Sequence, residues 1–372
     1  YQSWYSFSHR NQISKRVPCF GAPLNFYSWL LLYNLFELMD LDAMIVNAAH
    51  MKALPGRKTD VKDAEWIADL LRHGLLKASY IPNREQRELR EITRYRKSLT
   101  EERCREVNRL QKILEGANIK LDSVVKDITG KSARKLLQRI IDDDIPDSDE
   151  VSKLVHGRMR PKLEQIVASI EGITTPLQRK LLAQIIDHID DLNRRIGELD
   201  KLVQEYMAEY EAAIEAIDEI PGIARRSAEV ILAEIGLDMG RFPSAAHLCS
   251  WAGVCPGNYQ SAGRRKHGKT TKGNKALKTI LTQCAKSAKT VKSSYFFAQY
   301  QRISARRGKN RATLAVAHSM LIAIYHILKN KTAFHDLGSD YYDSFNRDRK
   351  INSYLKRLKA LGWEPDAIPS SA

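Results

Sequence analysis

Two stretches of this chain contain no acidic residue. Residues 1–36 hold neither Asp nor Glu, and neither occurs again between 239 and 335. Any carboxylate chemistry must therefore draw its acids from outside both stretches. The second stretch carries 18 Lys and Arg, while the rest of the chain nets to −2 against +16 for the whole. That excludes an evenly basic coat and points to one segment facing a polyanion. Cysteine is scarce. Cys19, Cys104, Cys249, Cys255 and Cys284 form no C-x-x-C pair and have no histidines at zinc-finger spacing, so they read as reduced thiols of a cytosolic protein. Long apolar runs are missing too: residues 29–36, the most apolar, are too few to span a bilayer, and nothing at the start reads as a cleavable signal. Length alone allows two or three cores in 372 residues.

The first 36 residues, rich in Tyr, Trp, Phe and Ser, show no periodicity and predict no defined structure. Residues 30–39 read as a short buried helix and 43–46 as a buried strand. Pro55-Gly56 then turns the chain into a helix beginning near Asp60, with Ala64, Ile67, Ala68 and Leu71 as its apolar stripe and His73-Gly74 as its end. Asp60 and Asp63 share one face of that helix, with Arg57, Lys58 and Lys62 around them. Such a pair could hold a divalent metal against a phosphate, or simply cap the helix and complement its dipole.

Two long helices are predicted downstream, over residues 84–116 and from 176 to about 210. In the second, Leu182, Ile185, Ile189, Leu192, Ile196, Leu199, Val203 and Tyr206 recur at alternating steps of three and four, the seam of a helical hairpin or coiled coil within the chain or with a second copy. Acids and Pro146 predict a surface loop over 142–152. Residues 217–236 read as helix, Pro221-Gly222 turn, helix. This is the form of a helix-hairpin-helix, in which amides near Gly222 and the following Arg225 meet a DNA phosphate, or of a plain helical corner.

Residues 253–278 concentrate the basic chemistry. Ser261 lies beside Gly263 and is followed by Arg264, Arg265, Lys266, Lys269 and Lys272. A serine in such a field could attack a phosphodiester, because the cations would stabilise its alkoxide and the charge gathering on phosphorus. With no acid nearby, His267 or a metal-bound hydroxide would have to serve as base, or proton loss would lean on the cations alone. The alternative is a basic loop that grips phosphates, with Ser261 as one more donor.

Three motifs in order carry a resemblance: Gly56-Arg57-Lys58-Thr59-Asp60-Val61-Lys62-Asp63-Ala64-Glu65-Trp66-Ile67-Ala68, the Pro221-Gly222-Ile223 corner, and Pro256-Gly257 through Ser261-Ala262-Gly263 to Lys272-Gly273-Asn274. From about Tyr33 onward the chain resembles bacterial insertion-sequence transposases of the IS110 type, kin to the Piv DNA invertases. The resemblance implies an α/β plus mostly α fold: a RuvC-like (RNase H-like) domain with an Asp-Glu-Asp-Asp tetrad for Mg²⁺, a coiled-coil insertion, and a helical C-terminal domain with a nucleophilic serine. It implies DNA strand cleavage and rejoining guided by a structured RNA of the element, in a cytoplasmic, nucleoid-associated protein; the heptad seam adds the expectation of a homo-oligomer, and the short apolar runs that of no membrane. Asp60 and Asp63 would be the last two tetrad acids, and Ser261 the residue linked to DNA. The chain departs from the family's pattern at the other two acids, whose strands should lie upstream of Tyr33, within the acid-free residues. A chain starting at Tyr1 is expected to be truncated, frame-shifted or complemented by an intact copy. The expected division is an aberrant segment 1–36, a partial metal domain 37–85, a helical region 86–210, a basic serine-bearing domain 211–335 and a tail 336–372.

Overall fold

A computed structural model describes residues 16–19, 28–46, 60–76, 78–256, 260–261, 264–265, 270, 273–344 and 347–363. The chain divides into two compact units, Tyr1–Asn83 and Arg84–Ala372, and is mostly helical.

The first unit holds a β-α-β element. Strand β1 (Arg16–Cys19) pairs in parallel with β2 (Asp42–Ile45), and helix α1 (Ser28–Leu38) crosses between them. Beyond β2, Val46 bridges Ala78 in the antiparallel sense, and the Ser79 N–H donates to the Ile45 carbonyl at 2.7 Å. A strand thus lies inside the segment for which no structure is predicted; four residues including Pro18 are too few to show alternation. Helix α1 forms but is not buried as predicted. Leu31, Leu35 and Leu38 are exposed, because a helix apolar on all sides can turn only one of them to so small a sheet. Helix α2 (Asp60–Arg72) ends as its sequence predicts. Gly74 takes φ +68°, its N–H donates to the Leu71 carbonyl, and the Leu75 N–H reaches back to Leu70, a Schellman closure.

The second unit starts with α3 (Arg84–Gly116), which pairs antiparallel with α8 (Pro176–Tyr206) to make an arm. Arg96 bonds Asp200, Arg103 bonds Asn193, and Glu106 lies 3.5 Å from His188, which fixes the antiparallel register. The predicted seam is the buried face: Leu182, Ile189, Leu192, Ile196 and Val203 are enclosed, whereas Tyr206 at its end is exposed. The partner of this seam lies within the chain. A capping box starts α8, Thr175 Oγ1 accepting from the Gln178 N–H and Gln178 Oε1 from the Thr175 N–H, with Pro176 at the first helical position.

Between these helices, α4 (Leu121–Val124), α5 (Lys131–Ile141), α6 (Ser148–Leu154) and α7 (Leu163–Ile170) fold onto the far end of the pair around a core that includes Leu110, Leu114, Leu136, Ile166 and Ile189. This excursion closes on itself, since the Ile173 N–H donates to the Ala117 carbonyl and the Lys120 N–H to that of Ser169. Only its 142–147 part is the predicted loop. Asp147 accepts from the Glu150 N–H and, with Asp149 and Glu150 in the first turn, starts a helix where acids alone suggested a loop.

The remainder is helical: α9 (Glu211–Asp218), α10 (Arg225–Ile235), α11 (Ala245–Ala252), α12 (Lys275–Ala288), α13 (Tyr295–Arg307), α14 (Lys309–Asn330), α15 (Tyr341–Ser344) and α16 (Arg347–Ala360). By length and composition α14 could cross a membrane. Here Ala312, Val316, Ala317, Met320, Leu321 and Ile324 form the buried face of a central core helix, against which α11, α12 and α13 pack.

Candidate functional site

Helix α2 places Asp60 and Asp63 in its first turn, three residues apart. The backbone geometry puts both on one face, as two carboxylates sharing a cation require. Arg57 and Lys58 lie outside the described residues. Among the described residues, no three His, Cys, Asp or Glu side chains gather as a metal cluster.

Ser261 belongs to the second unit. It lies on β3 (Gln260–Ser261), which pairs antiparallel with β4 (Arg264–Arg265), Ser261 opposite Arg264 and Gln260 opposite Arg265. A further antiparallel bridge joins Pro256 to Thr270 at the base of this β-hairpin. The structure thus brings Ser261, Arg264 and Arg265 together on one ladder. Lys266, His267, Lys269 and Lys272 lie outside the described residues.

The roots of the β-hairpin are well defined. Gly253, at φ +74°, ends α11 on the entry side. On the exit side, Lys278 Nζ donates to Thr270 Oγ1 at 2.5 Å and the Asn274 N–H donates to the Trp251 carbonyl at 3.1 Å. Gly273 is pressed against the backbone of the entry side, where a Cβ would fall 2.3 Å from Gly253 N and 2.5 Å from the Trp251 oxygen. Only glycine allows that approach.

The Pro221-Gly222 corner forms between α9 and α10, and Gly222 takes φ +90°. Its Cα faces the end of α12, where a Cβ would lie 2.4 Å from Ala288 N and 2.6 Å from the Cys284 carbonyl oxygen. Arg225, at the start of α10, forks onto Glu211 with bonds of 2.5 and 2.7 Å and lies 3.4 Å from Glu229. The guanidinium bonds hold the Glu211 carboxyl below the usual carboxylate range. A phosphate at Arg225 would have to displace Glu211.

Sequence reasoning missed Glu234. It is fully buried at the end of α10 and accepts from Arg94 Nε (2.8 Å) and Nη2 (2.9 Å), with Arg90 Nε at 3.3 Å and Asn274 Nδ2 at 2.6 Å. The last carbonyls of α10 are also satisfied from α3: the Ala233 oxygen by Gln86 and Arg90, and the Glu234 oxygen by Arg90. The glutamates of an amphipathic helix give no sign of such burial, because the partners come from residues far away in sequence.

Three of the cysteines are held as thiols by their surroundings. Burial pushes the Cys249 thiol up to about 12 and raises those of Cys255 and Cys284.

Comparison with known proteins matches two family models: a DEDD transposase domain of the IS110 type over residues 14–119, and the transposase IS116/IS110/IS902 family over 214–301. The first match begins inside the acid-free N-terminal segment; the second contains the Pro-Gly corner, the β-hairpin and Asn274. Among curated relatives, the insertion element IS110 uncharacterized 43.6 kDa protein of Streptomyces coelicolor is 25% identical over 320 residues, covering 75% of this chain and 73% of the relative. The putative transposase y4qE of Sinorhizobium fredii is 24% identical over 263 residues, 68% of this chain and 54% of the relative. A probable family 20 transposase of Pseudomonas aeruginosa is 23% identical over 180 residues, 46% of this chain and 52% of the relative. The chain thus spans only about half the length of the last two. Two domain models in the order its motifs predict, together with these relatives, assign the chain to the IS110-type family of insertion-sequence transposases.

Proposed function

We propose that the protein exchanges DNA strands through a transient covalent bond between Ser261 Oγ and a DNA phosphate. The supporting observation is the ladder that sets Ser261 opposite Arg264, inside a segment with 18 basic and no acidic residues. In this reading the Ser261 oxygen attacks phosphorus, the bond from phosphorus to the leaving sugar oxygen breaks, and the cations of β4 and the following loop offset the charge on the phosphoryl oxygens. Rejoining reverses the step, with an incoming DNA hydroxyl displacing serine. Asp60 and Asp63 would hold Mg²⁺, which supplies Lewis-acid activation when bound. The basic segment, with Arg264, Arg265, Lys266, Lys269 and Lys272, grips the DNA backbone independently of sequence. A structured RNA of the element and a second copy of the chain belong to this reading as partners that select the DNA, and so does a cytoplasmic place of work beside the nucleoid.

The acid-free first 36 residues favour a second reading, in which the chain binds nucleic acid without chemistry because those residues supply neither of the other two tetrad acids. Trapping separates the two. With element-end DNA, the element's transcript and Mg²⁺, the first reading expects a denaturation-resistant protein–DNA adduct that disappears in Ser261→Ala and in Asp60→Asn. Salt-sensitive DNA binding without any adduct establishes the second. Cleavage that survives Ser261→Ala would instead indicate a junction nuclease using water.

A further inference from the structure

The β-hairpin bearing Ser261 cannot hold itself in place. Its strands are two residues each, and a two-stranded ladder of that size is marginal in water. Its position is therefore set at its roots, where Gly273 and Asn274 close against Trp251 and Gly253. Asn274 does two separable things there. Its Oδ1 accepts from the Leu277 N–H at 3.1 Å, capping α12, while its Nδ2 donates to the buried Glu234 carboxylate at 2.6 Å. Glu234 is immobilised by the fork from Arg94 and by Arg90, whose guanidinium also lies 5.7 Å from the Trp251 ring centroid. The exit root of the β-hairpin thus rests on the Glu234 carboxylate, and the entry root lies beside Arg90, one of the two arm-helix arginines that hold that carboxylate.

A carboxylate fully removed from water is costly unless its oxygens are filled, and α12 needs only an oxygen at its cap, which serine supplies as well as asparagine. Capping α12 does not need the Asn274–Glu234 bond, which ties the cap residue to a carboxylate held from α3. We infer that Glu234 is a positioning residue for strand transfer, fixing the Ser261 hairpin through Asn274 and tying its placement to α3. The inference rests on the serine reading for its catalytic consequence, but the placement can be measured without it.

Two variants test this. Asn274→Ser keeps the cap and removes the donor; Glu234→Gln keeps the shape and removes the charge that holds Arg94 and Arg90. The first measurement is amide hydrogen exchange of the peptide spanning Pro256 to Thr270 in the DNA-free protein. Both variants should speed it by ~10-fold or more, with α12 unchanged in Asn274→Ser, since a hairpin without its tether opens locally. Wild-type exchange in Asn274→Ser overturns the inference even if Glu234→Gln fails to fold. The second measurement is adduct formation on element-end DNA with the element's transcript and Mg²⁺. Here the rate at saturating DNA should fall ~100-fold, with the half-saturating DNA concentration unchanged within ~2-fold, because misplacing a nucleophile costs rate and not backbone contacts. Equal losses of rate and DNA affinity overturn a positioning role in favour of plain structural support. A wild type that forms no adduct refutes the serine reading, and hydrogen exchange then decides the inference alone.

Discussion

Gly222 and Gly273 occupy places that no other residue fits, and the sequence discloses only part of why. Gly222 stands in a recognisable Pro-Gly corner, so the need for a bend there is legible, whereas Gly273 is marked only by the Lys-Gly-Asn motif that carries the resemblance. The surfaces they press on, Ala288 for one and Trp251 to Gly253 for the other, belong to other elements and are not. Alanine at 222 must keep φ +90° with its Cβ against the α12 backbone. Gly222→Ala should therefore cost roughly 2 kcal/mol or more, seen as a lower urea midpoint at unchanged slope. Cys249 is another residue whose character comes from its setting. The native thiol stays protonated up to about pH 12, whereas an unfolded one ionises from 9.0 upward, so between those limits the unfolded state binds fewer protons. Its contribution is full below pH 9 and is lost toward pH 12, at a slope approaching about 1.4 kcal/mol per pH unit. Cys249→Ala should flatten that alkaline fall in chemical unfolding measured across this window. Exposed Cys104 should react with a thiol reagent while native Cys249 does not.

Among the elements, the longest were the most legible. The reading of α3 over 84–116 agrees with the structure, as does the seam of α8, because many turns of consistent spacing leave little room for another period. Short elements were not. Strand β1 is below the length at which alternation shows, and α6 depends on a single capping carboxylate. The ion pairs of Arg94 and Arg96 were invisible for a further reason, since their partners Glu234, Asp200 and Glu229 lie 100 or more residues away. The strongest test among them is Glu229, which with Asp200 holds the buried Arg96 between α3, α8 and α10. Glu229→Ala leaves that buried guanidinium with Asp200 alone and should cost about 3 kcal/mol, the lower end for a broken buried pair. Arg194→Ala, which removes exposed pairs to Asp191 and Glu198, should stay within roughly 0.5 kcal/mol in the same denaturation experiment.

For the whole molecule, charge segregation is the property the sequence states most clearly. With the excess confined to 239–335, nucleic-acid affinity should reside in the second unit and depend steeply on salt. Arg264→Ala and Arg265→Ala should each reduce the slope of log affinity against log salt by about 1 with little change in sequence preference, as fluorescence anisotropy across a salt series would report. Family and domain order were legible because three motifs carry them. Asp60 and Asp63 were legible as two acids at the start of a helix, where α2 indeed begins, and their role with a metal belongs to the proposed function. The arm adds something that neither motifs nor charge suggest. Its distal excursion leaves at Ala117 and returns at Ile173 across a backbone hydrogen bond, around a core it shares with the far ends of α3 and α8. Such a segment is a cassette: another small fold that covers Leu110, Leu114, Leu182 and Ile189 could be grafted in its place while Arg90 and Arg94 stay at their posts near the helix start.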